Sequence, residues 1–444
     1  MKLDIRFESH DTPIGSLVRK ENLAVSFRYE EEYLSSDYKV PISLGLPLRA
    51  ETFSDLECRS FFQNLLPEND QIDRVIAREG LDRSDVASLL YHLGADCSGA
   101  ISCLPEGSEP IKKPGKINED YDYLEEETIN DLVSRLANKE PLPAEISDPS
   151  PIAGVQRKIA ITFGPNGIFA LPKKNSRAPT THILKVPPAK EARDTLLEMA
   201  AAVLADKCKL ETSIPRVLQF ADHKALLIER FDRQVDENGA VTRIHQEDFA
   251  QALGLPPEMK YERYKTESRA FNIESIRSVL DQCIRPAEAI DTFMKATIFN
   301  LAIGNTDNHA KNFALLYDNG RVPRLAPLYD MLPIKLNSQY THELAYNIGN
   351  ASHSDDLSKE DFDIFFSKMG LTKTASKRFK DDAVCEILSK LDIIADEVLV
   401  QSGLKDFDSL FGTQAENLIE KLDLDLTLAD RDFYAANAGG WSFS

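Results

Sequence analysis

Long apolar runs and paired cysteines are both missing from this chain of 444 residues. No run approaches the ~20 apolar residues that a membrane-spanning helix requires. The amino terminus, Met1–Phe7, alternates like a strand and lacks the apolar region of a signal peptide. The six cysteines are scattered without a C-x-x-C pair, which indicates reduced thiols rather than a disulfide framework or a zinc site. We therefore expect a cytoplasmic protein with no membrane association.

Several kinds of active site are also missing from the sequence. The eight histidines are dispersed and no Ser-His-Asp arrangement is evident, so neither a zinc enzyme nor a triad hydrolase is expected. Positive charge is scarce, since 52 basic residues stand against 72 acidic residues and give a net charge of −20. A chain this acidic is a poor candidate for non-specific nucleic-acid binding, whereas a basic protein partner would suit it.

Local patterns near the amino terminus predict an antiparallel sheet followed by helices. Alternating apolar residues mark three strands, at Leu3–Phe7, Ile14–Arg19 and Leu23–Tyr29. Ser54 and Glu57 have the spacing of a capping box at the start of a helix. A second helix is predicted over about 81–93, starting after Asp82 and ending near Gly94.

The stretch Gly304–Phe313 (GNTDNHAKNF) carries the clearest chemical signal. It follows the apolar run Phe293–Ile303, whose spacing suits a buried helix. Asp307 and Asn312 have the D-x-x-x-x-N spacing of a kinase catalytic loop, in which the Asp accepts the proton of the attacking hydroxyl and the Asn holds Mg²⁺. Taken alone, the stretch is explained equally well by the ordinary turn chemistry of Asn and Asp.

A carboxylate further along the chain completes the predicted metal site. Asp330 ends the short run Leu325–Asp330 (LAPLYD), at the place where a kinase carries its second magnesium ligand. Magnesium is usually held by one or two carboxylates together with phosphate oxygens, so Asn312 and Asp330 supply enough ligands from the protein.

The middle of the chain has the element order of a kinase small lobe. The predicted elements are a hairpin of Lys158–Phe163 and Ile168–Leu171, a strand His182–Val186, a helix over about 192–207, and a second hairpin of Val217–Phe220 and Ala225–Phe231. The strand carries Lys185 and the helix carries Glu198, the two types of residue that pair with each other and with ATP phosphates in kinases. The connector Glu229–Phe231 falls where adenine would meet backbone groups. Lys185 or Glu198 alone is better explained as an ordinary surface residue. The order of the strands and the helix that carry them is what favours a kinase.

We therefore predict an α+β, bilobal, protein-kinase-like fold. Its small lobe is an antiparallel sheet, its large lobe is mostly helical, and an extra subdomain precedes both. The predicted segments are an amino-terminal subdomain (1–110), a linker with a short helix (111–150), the small lobe with phosphate loop and ATP lysine (151–233) and the large lobe (234–444). The Pro- and Gly-rich residues 104–116 indicate the first boundary.

Together these motifs resemble the HipA serine/threonine kinases, the toxins of type II toxin–antitoxin pairs. The resemblance extends along nearly the whole chain. It rests on Phe61–Pro67 (FFQNLLP), Ala153–Lys158 (AGVQRK), Thr181–Lys185 (THILK), Glu229–Arg233 (ERFDR), Gln246–Asp248 (QED), Thr306–Phe313 (TDNHAKNF) and Leu328–Asp330 (LYD).

The resemblance implies ATP and Mg²⁺ as cofactors, with Asp307 as the catalytic base and Asn312 and Asp330 as metal ligands. The ATP contacts it implies are Ala153, Gly154, Val155, Gln156, Arg157, Lys158, Lys185, Glu229, Arg230, Phe231, His309, Ala310, Lys311, Asn312, Tyr329 and Asp330. It also implies a translation component as substrate, such as an aminoacyl-tRNA synthetase, whose phosphorylation arrests growth. A HipB-like helix-turn-helix antitoxin would neutralise the kinase and connect it to operator DNA.

Two alternatives use the same sequence features. A small-molecule or lipid kinase would need the same catalytic residues, and the loop differs from the usual H-R-D and D-F-G motifs. A non-catalytic co-regulator that binds an antitoxin would need none of them, so the presence of Lys185, Asp307 and Asp330 argues against it.

The phosphate loop departs from the family pattern in one respect that generates a prediction. Relatives commonly carry an autophosphorylated serine just before the apolar-Ala-Gly sequence, but here that position is Pro151, and Ser150 lies one residue earlier. Proline favours an extended conformation for Ser150, and a shift of one residue moves a side chain by ~3.5 Å. We expect Ser150 to be unmodified or slowly modified, as peptide mass spectrometry with and without ATP and Mg²⁺ would show. Stoichiometric phosphate on Ser150 that disappears in Asp307→Asn would contradict this expectation.

Overall fold

The computed structural model describes residues 1–8, 10–68, 70–143, 158–164, 166–173, 176, 178–188, 191–318 and 320–431. The strands are β1 (Lys2–Phe7), β2 (Gly15–Arg19), β3 (Val25–Tyr29), β4 (Ile101–Pro105), β5 (Gly115–Lys116), β6 (Tyr121–Tyr123), β7 (Lys158–Phe163), β8 (Phe169–Pro172), β9 (His182–Lys185), β10 (Arg216–Phe220), β11 (His223–Glu229), β12 (Arg233–Val235), β13 (Ala240–Arg243), β14 (Gln246–Asp248), β15 (Ala314–Leu316), β16 (Arg324–Leu325), β17 (Glu343–Ile348) and β18 (Ala351–His353). The α-helices are α1 (Glu31–Ser35), α2 (Asp55–Asn64), α3 (Asp70–Glu79), α4 (Val86–Leu93), α5 (Glu126–Ala137), α6 (Asp194–Lys207), α7 (Phe249–Ala252), α8 (Ile273–Leu280), α9 (Pro286–Ala302), α10 (Lys359–Lys368), α11 (Lys373–Phe379), α12 (Cys385–Ala395) and α13 (Lys405–Leu422).

The chain forms two compact units, each built from discontinuous segments. The first unit comprises Met1–Thr195, Pro215–Pro257 and Ala314–Arg324. The second unit comprises Leu196–Ile214, Glu258–Phe313 and Leu325–Ser444. The sequence analysis divided the chain into four continuous segments, whereas these units are discontinuous. The predicted domain boundaries therefore stay a prediction.

An antiparallel sheet in the order β3-β2-β1-β4 begins the first unit. The three strands predicted near the amino terminus are confirmed, with starts that differ by one or two residues. Apolar side chains of β1 and β3, such as Leu3 and Phe27, are buried in one core with Phe61 and Phe62 of α2. The alternation of the strands and the apolar face of α2 therefore build a single hydrophobic core.

The helices that follow show how capping determines a helix start. The Glu57 carboxylate accepts a hydrogen bond from the Ser54 N–H (2.7 Å), as the predicted capping box requires. The next predicted helix is shorter than expected, because α4 begins at Val86 rather than after Asp82. Asp82 instead accepts hydrogen bonds from Ser84 in a turn, and Asp85 caps the helix through the Ser88 N–H (3.2 Å).

The first unit also contains a six-stranded sheet in the order β10-β11-β9-β7-β8-β6. Its hairpins and its lysine-bearing strand follow the predicted order, with β9 paired to both β7 and β11. Helix α5 packs on this sheet, where Leu132 and Val133 share a core with Ile161 and Leu184. Burial of these apolar side chains holds the central strand β9 in place.

Helices dominate the second unit, apart from the β17–β18 hairpin and the irregular segments around α9. The apolar run predicted as a buried helix is confirmed as part of α9, which begins earlier, at Pro286. The rings of Phe313 and Tyr346 pack on Phe293 of this helix, with centroids 5.1 and 5.7 Å away. The predicted α+β class is therefore confirmed. Among the described residues, no helix combines the length and apolar content that crossing a membrane would require.

An unusual acidic residue lies in the core of the first unit. Glu247 in β14 is fully buried, and its carboxylate accepts hydrogen bonds from the Leu44 N–H (2.9 Å) and the Tyr317 hydroxyl (2.6 Å). Burial raises the pKa of Glu247 to about 7, although these donors act in the opposite direction. The neighbouring His245 is also buried, and burial lowers its pKa to about 4.

This raised pKa predicts a loss of stability as the pH rises. The folded state holds the Glu247 proton more tightly than the unfolded state, so the cost of burying the carboxylate is absent below about pH 4.5 and complete above about pH 7. Glu247→Gln should therefore stabilise the protein at pH 8, by up to roughly 2–3 kcal/mol, and have little effect near pH 5. Urea unfolding of both proteins at each pH measures the difference. Glu237→Gln, an exposed control, should be neutral at both values, and an effect of Glu247→Gln that does not vary with pH would contradict the prediction.

Candidate active site

The candidate reactive loop begins where α9 ends. Gly304 has a left-handed backbone (φ +72°), which lets the chain turn out of the helix directly after Ile303. The Asn305 side chain donates to Asn300 Oδ1 (2.9 Å) in the last turn of α9 and so joins the loop to the helix. The apolar run thus fixes the position of the polar residues that follow it.

The backbone of Asp307 is held from both directions. Its N–H donates to Asn305 Oδ1 (3.1 Å), and its carbonyl accepts from the His309 N–H (2.9 Å) and from Asn312 Nδ2 (2.9 Å). The side chain of Asn312 therefore folds back onto the residue five positions earlier. The amide oxygen is the atom of Asn312 that could bind a cation, because the amide nitrogen is only a hydrogen-bond donor.

The side chain of Asp307 has a partner that the sequence did not reveal. The hydroxyl of Tyr261 donates to Asp307 Oδ1 over 2.6 Å. The Tyr261 ring meets the His309 ring edge to face, with centroids 5.1 Å apart, and the Arg263 guanidinium lies 3.9 Å from its centroid. These contacts hold a half-buried tyrosine against one oxygen of the carboxylate.

Opposing influences act on the ionisation of Asp307. Burial raises its pKa, and the negative charge of Asp330 acts in the same direction. The Tyr261 hydrogen bond and the positive charges of Lys260 and Arg263 lower the pKa. Burial outweighs them, so the pKa stays above its ordinary value. A raised pKa suits a carboxylate that must accept a proton in the reaction.

Asp330 lies at the end of a short irregular segment with a left-handed backbone (φ +56°). Two hydrogen bonds hold this segment. The Tyr329 hydroxyl donates to the carbonyl of Lys311 in the reactive loop (2.7 Å), and the Leu328 N–H donates to the Glu211 carbonyl (2.7 Å). A non-glycine residue in this conformation is uncommon and points to a functional constraint. The effect of its charge on Asp307 shows that the two carboxylates lie within electrostatic range.

A buried lysine connects the Asp330 segment to the reactive loop. The Lys335 N–H donates to the Gly304 carbonyl (3.0 Å). Its ammonium donates to Ser354 Oγ (3.0 Å), to Asp355 and to Gln414 Oε1 (3.2 Å). The residues that follow Asp330 are thereby fixed to the start of the loop that carries Asp307.

The predicted ATP contacts of the small lobe lie in the first unit. Lys158 and Lys185 occupy paired positions on β7 and β9, and Lys185 is buried. Glu229 ends β11, and the Arg230 guanidinium that follows is bound by both oxygens of Asp232, each over 2.9 Å. The Arg230 N–H donates to the Thr181 carbonyl (3.0 Å), so both the guanidinium and the N–H of Arg230 have partners within the protein.

Other predicted site residues are distributed between the second unit and residues outside the described ranges. His309, Asn312, Tyr329 and Asp330 lie in the second unit with Asp307 and Glu198. Ala310 and Lys311 lie in the short 3-10 turn that ends at Asn312. The pairing of Lys185 with Glu198 stays a prediction. The residues Ser150, Ala153, Gly154, Val155, Gln156 and Arg157 lie outside the described residues.

Sequence reasoning missed Tyr261, Arg263 and Lys335. Tyr261 lies 46 residues before Asp307, and only the unusual density of tyrosine and cationic residues in Lys260–Lys265 (KYERYK) could have indicated it. Lys335 lies in an unremarkable apolar stretch, and its role depends on Ser354 and Gln414, far away in the chain.

Comparison with known proteins identifies the family. The model of the HipA N-terminal domain matches residues 5–104, and that of the HipA-like C-terminal domain matches residues 150–393. The chain is 34% identical over 365 residues to "Putative kinase Y4mE" of Sinorhizobium fredii, covering 81% of this chain and 84% of that protein. It is 27% identical over 361 residues to the serine/threonine-protein kinase toxin HipA of Shewanella oneidensis, covering 78% of each.

A solved structure agrees in fold. HipA of Shewanella oneidensis, in a complex with HipB and operator DNA, superposes with a TM-score of 0.76 and 23% identity, over 96% of this chain and 100% of that chain. At this identity the likeness shows the fold alone. The superposed region includes most of the residues that the two family models match. The chain therefore belongs to the HipA family of serine/threonine-protein kinases.

Proposed function

We propose that this protein is an ATP- and Mg²⁺-dependent kinase that phosphorylates a serine or threonine of a translation component, such as an aminoacyl-tRNA synthetase, and so arrests growth. The observation that carries the proposal is the conformation of the Asp307–Asn312 loop. The Asn312 amide donates to the Asp307 carbonyl, and the Asp307 carboxylate accepts from the Tyr261 hydroxyl. This conformation supports the proposal because it would bring the base and a metal ligand side by side. Family membership supports the protein acceptor.

The donor set of the loop fits Mg²⁺. Asn312 and Asp330 offer an amide oxygen and a carboxylate, the hard oxygen ligands that Mg²⁺ prefers. Burial is the main cause of the raised pKa of Asp307, and the negative charge of Asp330 adds to it, so a cation beside the two carboxylates would relieve their repulsion. When bound, Mg-ATP would supply the phosphoryl group and neutralise the charge of its oxygens.

The residues of the loop would then divide the work. Asp307 accepts the proton of the acceptor hydroxyl, for which its burial and raised pKa are suited. Asn312 and Asp330 would hold the metal. In the first unit, Lys185 and the residues Ala153–Lys158 would bind the phosphates, and Glu229–Phe231 would meet the adenine.

A small basic antitoxin is the proposed partner. The Shewanella oneidensis relative is solved with HipB and operator DNA, and we propose that a HipB-like protein binds this chain. The net charge of −20 supports contact with DNA through such a cation-rich partner rather than directly. We also propose that the protein acts in the cytoplasm, where translation components are found.

The first test of this function removes the base or the metal ligand. Asp307→Asn should lower phosphoryl transfer by ~10²–10⁴-fold, and Asp330→Asn should cost a comparable factor through the lost metal ligand. ATP binding by Asp307→Asn should largely survive, because the base does not hold the nucleotide. Transfer of radiolabelled phosphate and growth arrest on induced expression measure the two effects.

The control for this test is Asp363→Asn, the same substitution at an exposed position of α10. It should behave as the unmodified protein does. Phosphorylation or growth arrest at the unmodified level by either active-site variant would refute the assignment of that residue. Phosphoproteomics after induction, compared with Asp307→Asn, would identify the acceptor.

The second test concerns the partner. Co-expression with the neighbouring gene, if it encodes a short helix-turn-helix protein, should yield a stable complex on size-exclusion chromatography. The isolated chain should not shift operator DNA at physiological salt, because its net charge repels a polyanion. A gel shift by the isolated chain with sub-micromolar affinity would contradict this proposal.

A further inference from the structure

Tyr261 is the side chain that contacts the proposed base most directly. Its hydroxyl donates to Asp307 Oδ1 over 2.6 Å, which is a short hydrogen bond to a group that is negatively charged when ionised. The hydroxyl is the only hydrogen-bond donor of a tyrosine side chain, so this contact depends on the hydroxyl and not on the ring. The hydroxyl is therefore the atom whose removal reports on this contact.

The tyrosine ring has little freedom to leave this position. The His309 ring packs against it edge to face at 81° between planes, and the Arg263 guanidinium lies 3.9 Å from its centroid. Arg263 is held in turn by Glu343, with its Nε 3.5 Å from the carboxylate. Phenylalanine at this position would keep both ring contacts and lose only the hydroxyl.

The residues on either side of Tyr261 are also held. The carbonyl of Lys260 accepts from the Ala310 N–H (3.0 Å), which joins this segment to the loop that carries Asp307. The carboxylate of Glu262 accepts from the Asn347 N–H (2.7 Å). Tyr261 is thus placed by one backbone hydrogen bond of Lys260, one side-chain hydrogen bond of Glu262 and two ring contacts.

The geometry of the carboxylate explains what this placement achieves. The terminal torsion of an aspartate is broad and roughly two-fold, so an unrestrained carboxylate rotates readily. The backbone of Asp307 is held by Asn305 and Asn312, and the Tyr261 hydroxyl restrains the remaining rotation. With Oδ1 bound to the tyrosine, Oδ2 is the oxygen left for an acceptor hydroxyl.

We propose that Tyr261 is a positioning residue, which holds Asp307 so that Oδ2 faces the hydroxyl to be phosphorylated. This inference rests on the proposed role of Asp307 as the base. Orientation of a reacting group within a fraction of an ångström strongly affects the rate, whereas nucleotide binding does not depend on it. The effect of Tyr261 should therefore be on turnover rather than on the affinity for ATP.

The experiment compares Tyr261→Phe with the full-length unmodified protein. Initial rates are measured as transfer of radiolabelled phosphate from Mg-ATP to the acceptor protein that phosphoproteomics identifies, and as ATP hydrolysis in the same preparations, where water takes the place of the acceptor. We expect kcat to fall by about 10- to 100-fold, the loss typical of a hydrogen bond to a charged group. The KM for ATP and the melting temperature should stay within error of the unmodified protein.

The matched control is Tyr264→Phe, the same substitution three residues away. Tyr264 is 55% exposed, and its hydroxyl makes no hydrogen bond to the part of the chain that the structure describes. It should leave kcat unchanged. A Tyr261→Phe protein with unmodified or increased kcat would overturn the inference, as would a parallel loss in melting temperature and in ATP affinity, which would indicate a structural role.

The same assays separate this inference from the proposed function. If the unmodified protein shows no transfer and no hydrolysis that depends on Asp307, the proposed function fails and this inference fails with it. If Asp307→Asn abolishes activity while Tyr261→Phe retains the unmodified kcat, the base assignment stands and only the positioning role is wrong.

Discussion

The turn at Gly304 is the constraint on which the candidate site depends. A side chain there would meet Leu410 Cδ2 at 2.8 Å and Lys335 Cβ at 3.3 Å, and the backbone angle is one that residues other than glycine rarely adopt. The close approach lets the Lys335 N–H bind the Gly304 carbonyl. One glycine thereby ends the buried helix, begins the loop of Asp307 and brings the segment after Asp330 against it.

The two units carry different parts of the proposed chemistry. The first unit is a set of antiparallel sheets that places Lys185 on a central strand, where pairing on both sides and the helix α5 hold it rigidly. The second unit places Asp307, Asn312 and Asp330 on irregular segments supported by helices. Strands thus carry the lysine that is proposed to bind the phosphates, and loops fixed by hydrogen bonds carry the groups that are proposed to act on the acceptor.

Buried and half-buried polar groups form hydrogen bonds where segments distant in sequence meet. Asp307 is held by Tyr261, Glu247 by Leu44 and Tyr317, and Lys335 by Gln414. Burying such groups costs free energy that their hydrogen bonds only partly offset. Each of these groups finds its hydrogen-bond partners in only one arrangement of the segments, so the groups help to fix that arrangement.

The sequence by itself determined the class of the fold, most strands of the four- and six-stranded sheets, and the loop that carries Asp307 and Asn312, because these follow from local alternation and from residue spacing. It gave no signal for β4 or β6, which are two of the strands of these sheets. It placed the start of α4 wrongly, because Asp82 and Asp85 are equally good caps in sequence and only the turn at Ser84 distinguishes them. Tyr261 and Lys335 could not be predicted, since their partners lie 46 and up to 79 residues away. Only tertiary packing brings those side chains together, and no local pattern records which distant groups a buried hydroxyl or ammonium will meet.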